Sequence, residues 1–276
     1  MPYAKLNDLN LYYEEFGRGE TVLFLHSHFS RGLLAFSGQI IPFSGKYRCL
    51  FPDFRGHGRT LCDDLTWNSR MVADDMAMFL DKLEIDRAHI IGYSCGAYVG
   101  CHMAAKYPHK VKSLVTIGGA AHPRPEGATD CLPENLLKNG HTDFIEDIKV
   151  RHYEAHRGDW QTYLRNTVAD WQQSPQLTDA EWQNITCPAF FINGENDPFG
   201  TCEELQEKVP SAKIYKVIGG GHRPHFVGEQ IEDINSRILG FLSSIYTSTK
   251  SAKDIFKSFD FFSKNSRSYS SASFFV

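Results

Sequence analysis

The chain carries no uninterrupted apolar run long enough to span a bilayer. Its first residues, MPYAKLNDLNLYY, have neither the basic start nor the apolar stretch of a secretory signal. Both absences make a cytoplasmic protein without a membrane span the expectation. An excess of basic residues is also missing, because 29 Lys and Arg stand against 33 Asp and Glu and the pI is near 6.3. Such a chain offers no positive field to capture nucleic acid or an anionic membrane, and neither partner is expected. The seven cysteines (Cys49, Cys62, Cys95, Cys101, Cys131, Cys187 and Cys202) include no CxxC pair. An odd, scattered set argues against a disulfide framework or zinc site and for reduced, structural thiols. No internal repeat is visible, and 42% hydrophobic with 22% charged residues excludes wholesale disorder.

What is present is an alternation. The segments "LNLYYEEFG", "TVLFLHS", "YRCLFPDF", "RAHIIGYS", "VKSLVTIGG", "CPAFFINGE" and "AKIYKVIGGG" are short, apolar and bounded by turn residues, as strands are. Between them lie amphipathic stretches such as "RMVADDMAMFLDKLEI" and "CEELQEKV", and another covers "IEDINSRILGFLSSIY". Near-continuous apolar strands separated by helices predict an α/β fold with a mostly parallel central sheet covered by helices on both faces. Residues 122–186 break the rhythm with helical patterns and no convincing strand, and read as a helical cap inserted between two strands. The core is then expected over 1–121 and 187–246. The tail 247–276 is rich in Ser, Lys and Phe and reads as a mobile appendage, with a docking segment as the alternative.

The stretch "IIGYSCGAYVGCHMA" places Ser94 between Gly92 and Gly96 at the end of an apolar strand. Small residues two before and two after a serine are what a sharp strand-to-helix turn needs to expose it as a nucleophile. Ala97, Gly100, Cys101 and Ala104 follow at helical spacing, a face without bulk that lets the helix lie close to a sheet. An ordinary turn serine is the competing explanation, since GxSxG alone is a weak signal. In this context of strand, turn and helix the chain resembles the α/β-hydrolase family over about residues 1–246.

That resemblance implies a Ser, acid, His order along the chain. Asp197 in "NGENDPF" and His222 in "GGGHRPHF" match the family's GxxDP and GHxP patterns and follow two predicted strands. Glu195 and His225 are their rivals. A free serine does not supply an alkoxide at neutral pH, so His222 would act as base and Asp197 would orient it. The implied oxyanion donors are the backbone N–H groups of Cys95 and of His28, the latter in "LHSHFS", which resembles the family's HG-x loop. Ser27 stands there in place of the usual glycine. The pair His26 and His28 lacks carboxylate or Cys partners at ligand spacing, so no metal is expected. Asp53 and Arg55 in "PDFRGHGRT" are taken as structural. Phe29, Tyr93, Trp160 and Trp171 are candidates for contacting substrate; Trp160 and Trp171 belong to an aromatic set from the cap that also includes Phe144, Tyr153, Tyr163 and Trp182.

The resemblance thus implies a cofactor-independent hydrolase of a small or medium carboxylic ester, thioester or lactone. Carbon–carbon bond hydrolysis, acyl transfer and perhydrolysis use the same residues in similar proteins, and some such proteins are slow-turnover receptors. Relatives that cleave epoxides or alkyl halides carry Asp at the elbow, and the serine here argues against both. The oligomeric state is open.

Overall fold

Each of the seven apolar segments forms a strand. In chain order they are β2 (Leu9–Phe16), β3 (Thr21–Leu25), β4 (Arg48–Pro52), β6 (Ala88–Tyr93), β7 (Val111–Ile117), β8 (Ala189–Gly194) and β9 (Lys213–Val217), joined by the short β1 (Tyr3–Lys5) and β5 (Leu61–Cys62). The computed structural model describes residues 3–226, 228 and 230–245. The tail 247–276, with the appendage or docking role expected for it, lies outside the described residues.

The sheet order is β1-β2-β4-β3-β6-β7-β8-β9, with β5 on β2. From β4 to β9 every neighbouring pair is parallel, whereas β1, β2 and β5 join antiparallel. Strands β3, β6 and β8 are buried along their whole length, which explains their unbroken apolar runs. The chain leaves β3 toward β4 on one side, while β6 pairs on the other side of β3. The loops at the carboxyl ends of β3 and β6 therefore diverge and open a crevice, the place where sheets of this kind build sites.

The helix Ser69–Lys82 starts at Asn68, whose side chain accepts the Met71 N–H, and buries Val72, Met76, Phe79 and Leu80. The helix Cys95–Lys106 is buried from Cys95 to Ala105. It lies so close to the sheet that a Cβ on Gly100 would come within 2.8 Å of the Leu114 side chain, in keeping with its small-residue face. Among the described residues 122–186 there are helices and no strand. Their apolar residues form a cluster of their own, built on Leu136, Ile145, Ile148, Trp160, Tyr163 and Leu164. The first compact unit ends at Ser236, inside the span 187–246 expected to complete the core. Residues 237–245, the described part of the second unit, are helical. No helix among the described residues is long and apolar enough to cross a membrane.

Candidate active site

The turn after β6 is as tight as the glycines suggest. A Cβ on Gly92 would lie 2.1 Å from the Gly96 carbonyl oxygen, and one on Gly96 would lie 1.9 Å from that of Leu25. Ser94 sits between them at φ +54°, ψ −117°, a backbone conformation that side-chain-bearing residues rarely adopt and that stores on the order of 1–3 kcal/mol. It also stands at the N-terminus of the helix Cys95–Lys106, where the unpaired N–H groups and the helix dipole favour negative charge.

Asp197 and His222 reach Ser94 from the ends of β8 and β9. His222 Nε2 is 3.0 Å from Ser94 Oγ, and His222 Nδ1 is 3.0 and 3.1 Å from the two oxygens of Asp197. The Asp197 side chain is fully buried and accepts the Phe199 N–H at 3.0 Å and Asn193 Nδ2 at 3.3 Å. Its rival Glu195 is turned elsewhere and accepts the Gly219 N–H at 2.9 Å. The rival His225 is fully buried and donates through Nε2 to the Ala35 carbonyl at 3.1 Å. Gly118, at φ +62°, leaves room for the His222 ring, which a Cβ there would approach to 3.0 Å.

The loop after β3 is held by side chains from three parts of the chain. His26 donates through Nδ1 to the Ser27 carbonyl at 2.8 Å and accepts the Phe54 N–H on Nε2 at 2.9 Å. A ring used in both ways is neutral, and burial accordingly pushes its pKa well below the usual value. The His28 carbonyl accepts the Tyr163 hydroxyl at 2.7 Å and lies 2.8 Å from His57 Nε2. His28 Nε2 is 3.0 Å from Asp170 Oδ2, a carboxylate on the inserted helix Trp160–Gln173. Asp170 also accepts the Ser69 N–H and hydroxyl, both at 2.7 Å, and the Ser174 hydroxyl at 3.1 Å. Burial alone would raise its pKa, but the bond to His28, the charge of that ring and the two Ser69 donors outweigh it and hold the carboxylate below its ordinary range.

Among the described residues neither the His28 N–H nor the Cys95 N–H donates to another backbone group, the condition required of groups that are to receive an oxyanion. His28, Cys95 and Asp170 place one ligand atom each within 4.8 Å of one another, a partner set that the sequence did not suggest for His28. The Asp170 oxygens are already satisfied by the four donors just described, and burial raises the Cys95 thiol far above its usual pKa. The cluster is a hydrogen-bond network built from neutral and charged groups that saturate one another.

Ser94 and His222 open onto a cavity of about 230 Å³ whose walls include Phe29, Tyr93, Tyr98, Phe144, Trp171 and Phe199. Three of the four expected contact residues, Phe29, Tyr93 and Trp171, line it, together with Ser27 and His28. Trp160 does not. It shares a helical face with Trp171 but stands eleven residues earlier, about 16 Å along the axis, and packs into the insertion's own cluster. Of the remaining cap aromatics, Phe144 reaches the cavity, Tyr163 and Trp182 are buried in packing, and Tyr153 is exposed. Phe199 was not foreseen. It belongs to the turn that follows Asp197 and sets its edge on the His222 ring at 4.6 Å, so its place beside the acid in "NDPF" was the available signal.

The sequence signature of the family described as "alpha/beta hydrolase fold" matches residues 20–139. The "Putative carbamate hydrolase RutD" of Azorhizobium caulinodans is 27% identical over 273 residues, covering 89% of this chain and 99% of that protein. A 2-hydroxy-6-oxononadienedioate/2-hydroxy-6-oxononatrienedioate hydrolase of Paraburkholderia phymatum is 25% identical, covering 85% of this chain and 91% of that protein. The crystal structure of the enol-lactonase from Burkholderia xenovorans LB400 superposes with a TM-score of 0.71 at 21% identity, over 88% of this chain and all of that one. Together with the sheet order and the turn at Ser94, these likenesses show that the chain has the α/β-hydrolase fold.

Proposed function

We propose that the protein is a serine hydrolase that cleaves a small or medium carboxylic ester, thioester or lactone through an acyl-enzyme on Ser94. The observation that carries this is the continuous chain of contacts from Asp197 through His222 to Ser94 Oγ, each near 3.0 Å. Ser94 Oγ attacks the carbonyl carbon as His222 Nε2 takes its proton, and Asp197 holds the Nδ1–H and stabilises the imidazolium. The oxyanion is received by the N–H groups of Cys95 and His28. Collapse expels the alcohol or thiol, protonated by His222, which then deprotonates a water that releases the acid. A cavity of about 230 Å³ lies below the roughly 300–1,000 Å³ range of ligand pockets, which favours compact substrates with an apolar part.

A second reading, carbon–carbon bond or carbamate cleavage on the same three residues, is favoured by the names of the two relatives. The two readings part on a panel of 4-nitrophenyl esters with acyl chains of increasing length, a phenyl carbamate and a vinylogous 1,5-diketone. The ester reading expects steady turnover of the short esters at kcat/KM well above that of the other two, abolished by Ser94→Ala. Faster turnover of the carbamate or diketone contradicts it.

A further inference from the structure

Beside the aromatic chamber on Ser94 lies a second, also of about 230 Å³; Ser27, Phe29, Tyr93 and Arg223 line both, and the second also takes in Ser30, Leu34, Arg151 and His225. Arg151 and Arg223 line this space, and no Asp or Glu lines either chamber. Arg151 is a fixed post, donating to the Phe29 carbonyl at 2.6 Å and to the Asp147 carboxylate. Arg223 is different. Its guanidinium lies near enough to the Tyr93 hydroxyl to oppose the rise that burial gives that group's pKa, and among the described residues no carboxylate stands within ion-pair distance of it. His225 adds no charge, because burial lowers its pKa to about 3; its Nε2 is committed to the Ala35 carbonyl and its buried Nδ1 has no partner.

A guanidinium held beside a nucleophile, in a partly enclosed space without its counterion, favours an anion presented by a ligand. We propose that the second chamber is a carboxylate-binding subsite anchored by Arg223, so that the substrate is an ester or lactone whose acyl or alcohol part carries a carboxylate. This rests on the reading of Ser94 as the nucleophile. Arg223 supplies the planar fork, and Arg151, paired with Asp147, lines the same chamber. The apolar chamber takes the other half of the ester.

Two matched pairs test the proposal from either side of the ester bond. In the first, 4-nitrophenyl hydrogen adipate is compared with 4-nitrophenyl hexanoate. In the second, 3-carboxyphenyl butyrate is compared with 3-carbamoylphenyl butyrate. The readout is the ratio of kcat/KM, charged over neutral, in wild type, Arg223→Lys, Arg223→Gln and Arg223→Glu. A charge-assisted bond of ordinary strength predicts a ratio of roughly 10 to 100 in one pair. That ratio falls about tenfold in Arg223→Gln, drops below one in Arg223→Glu and is partly kept in Arg223→Lys. A ratio of one or less in both pairs, or one that Arg223→Gln leaves alone, overturns the proposal.

Binding separates this proposal from the one beneath it. Calorimetric titration of the same pairs into Ser94→Ala, and into the double variant with Arg223→Gln, needs no turnover. Tighter binding of the charged member, lost in the double variant, upholds the subsite even where no ester is hydrolysed, and only the hydrolase reading then falls. Equal binding of charged and neutral members overturns the subsite and leaves the hydrolase reading standing.

Discussion

Replacing Asp170 with Asn keeps the shape of the side chain and removes its charge. Four donors converge on the carboxylate, from Ser69 twice, from Ser174 and from the His28 ring, and all of these residues are buried. An amide offers one acceptor oxygen and turns an NH2 group toward the rest, so at least one buried donor loses its partner. A lost charge-assisted bond together with an unsatisfied buried group amounts to about 3–5 kcal/mol. Urea unfolding at pH 7 should register that loss as a lower midpoint with an unchanged slope. The same substitution should loosen the His28 ring and with it the backbone N–H proposed to receive the oxyanion. On the proposed mechanism kcat falls about 10- to 100-fold with little change in KM, less than the loss of a whole donor. The pH dependence follows from the sign of the shift. The Asp170 pKa is held below its ordinary value, so the stability it contributes is present above about pH 4 and is lost as the pH falls through the still lower folded-state pKa. The gap between wild type and Asp170→Asn should therefore be present at pH 5 and close in acid. A loss under about 1 kcal/mol, a gap that persists in acid below the folded-state pKa, or an unchanged kcat would refute the reasoning.

Gly96→Ala should give little soluble protein, because its Cβ would lie 1.9 Å from a backbone oxygen that cannot move without displacing β3; normal yield and unfolding midpoint would be inconsistent with the tight turn. Asp197→Asn should lower kcat by roughly 1,000- to 10,000-fold through the wrong His222 tautomer, while Glu195→Gln should stay within about threefold of wild type, and ester kinetics on both variants would reverse the assignment if the ranking came out the other way. Burial lowers the pKa values of His89 and His102 to about 4 and of His225 to about 3. Between those values and about 6.5 the unfolded chain binds the additional protons, so stability should rise with pH across that window; a urea midpoint that is flat or falls from pH 4.5 to 6.5 would contradict the neutral, buried histidines.

The parts of the fold that were legible in the sequence are those governed by local pattern. Seven apolar runs bounded by turn residues became seven strands, and the spacing of Gly92, Ser94 and Gly96 marked a turn whose backbone tolerates nothing larger at its flanks. The two shortest strands, β1 and β5, leave no mark in the sequence because three and two residues are too few to show a period. The contacts that shape the site are of another kind. Asp170 meets His28 across 142 positions, and no local signal singles out one buried carboxylate on an amphipathic helix. Trp160 and Trp171 lie on one helical face and have the same chemistry, so only the length of the helix separates packing from cavity wall. Ser27, which departs from the family's glycine, sits in a loop whose position is fixed by side chains from the insertion, and that support is invisible to any short window.

The central claim is that Ser94 is an activated nucleophile. Treating the full-length protein with a fluorophosphonate and reading its intact mass, with Ser94→Ala and His222→Ala alongside, tests it most directly. The account predicts a single adduct on wild type, none on Ser94→Ala, and labelling slowed by at least about 1,000-fold on His222→Ala. Folded wild-type protein that takes up no adduct, or takes one up equally in Ser94→Ala, would contradict it.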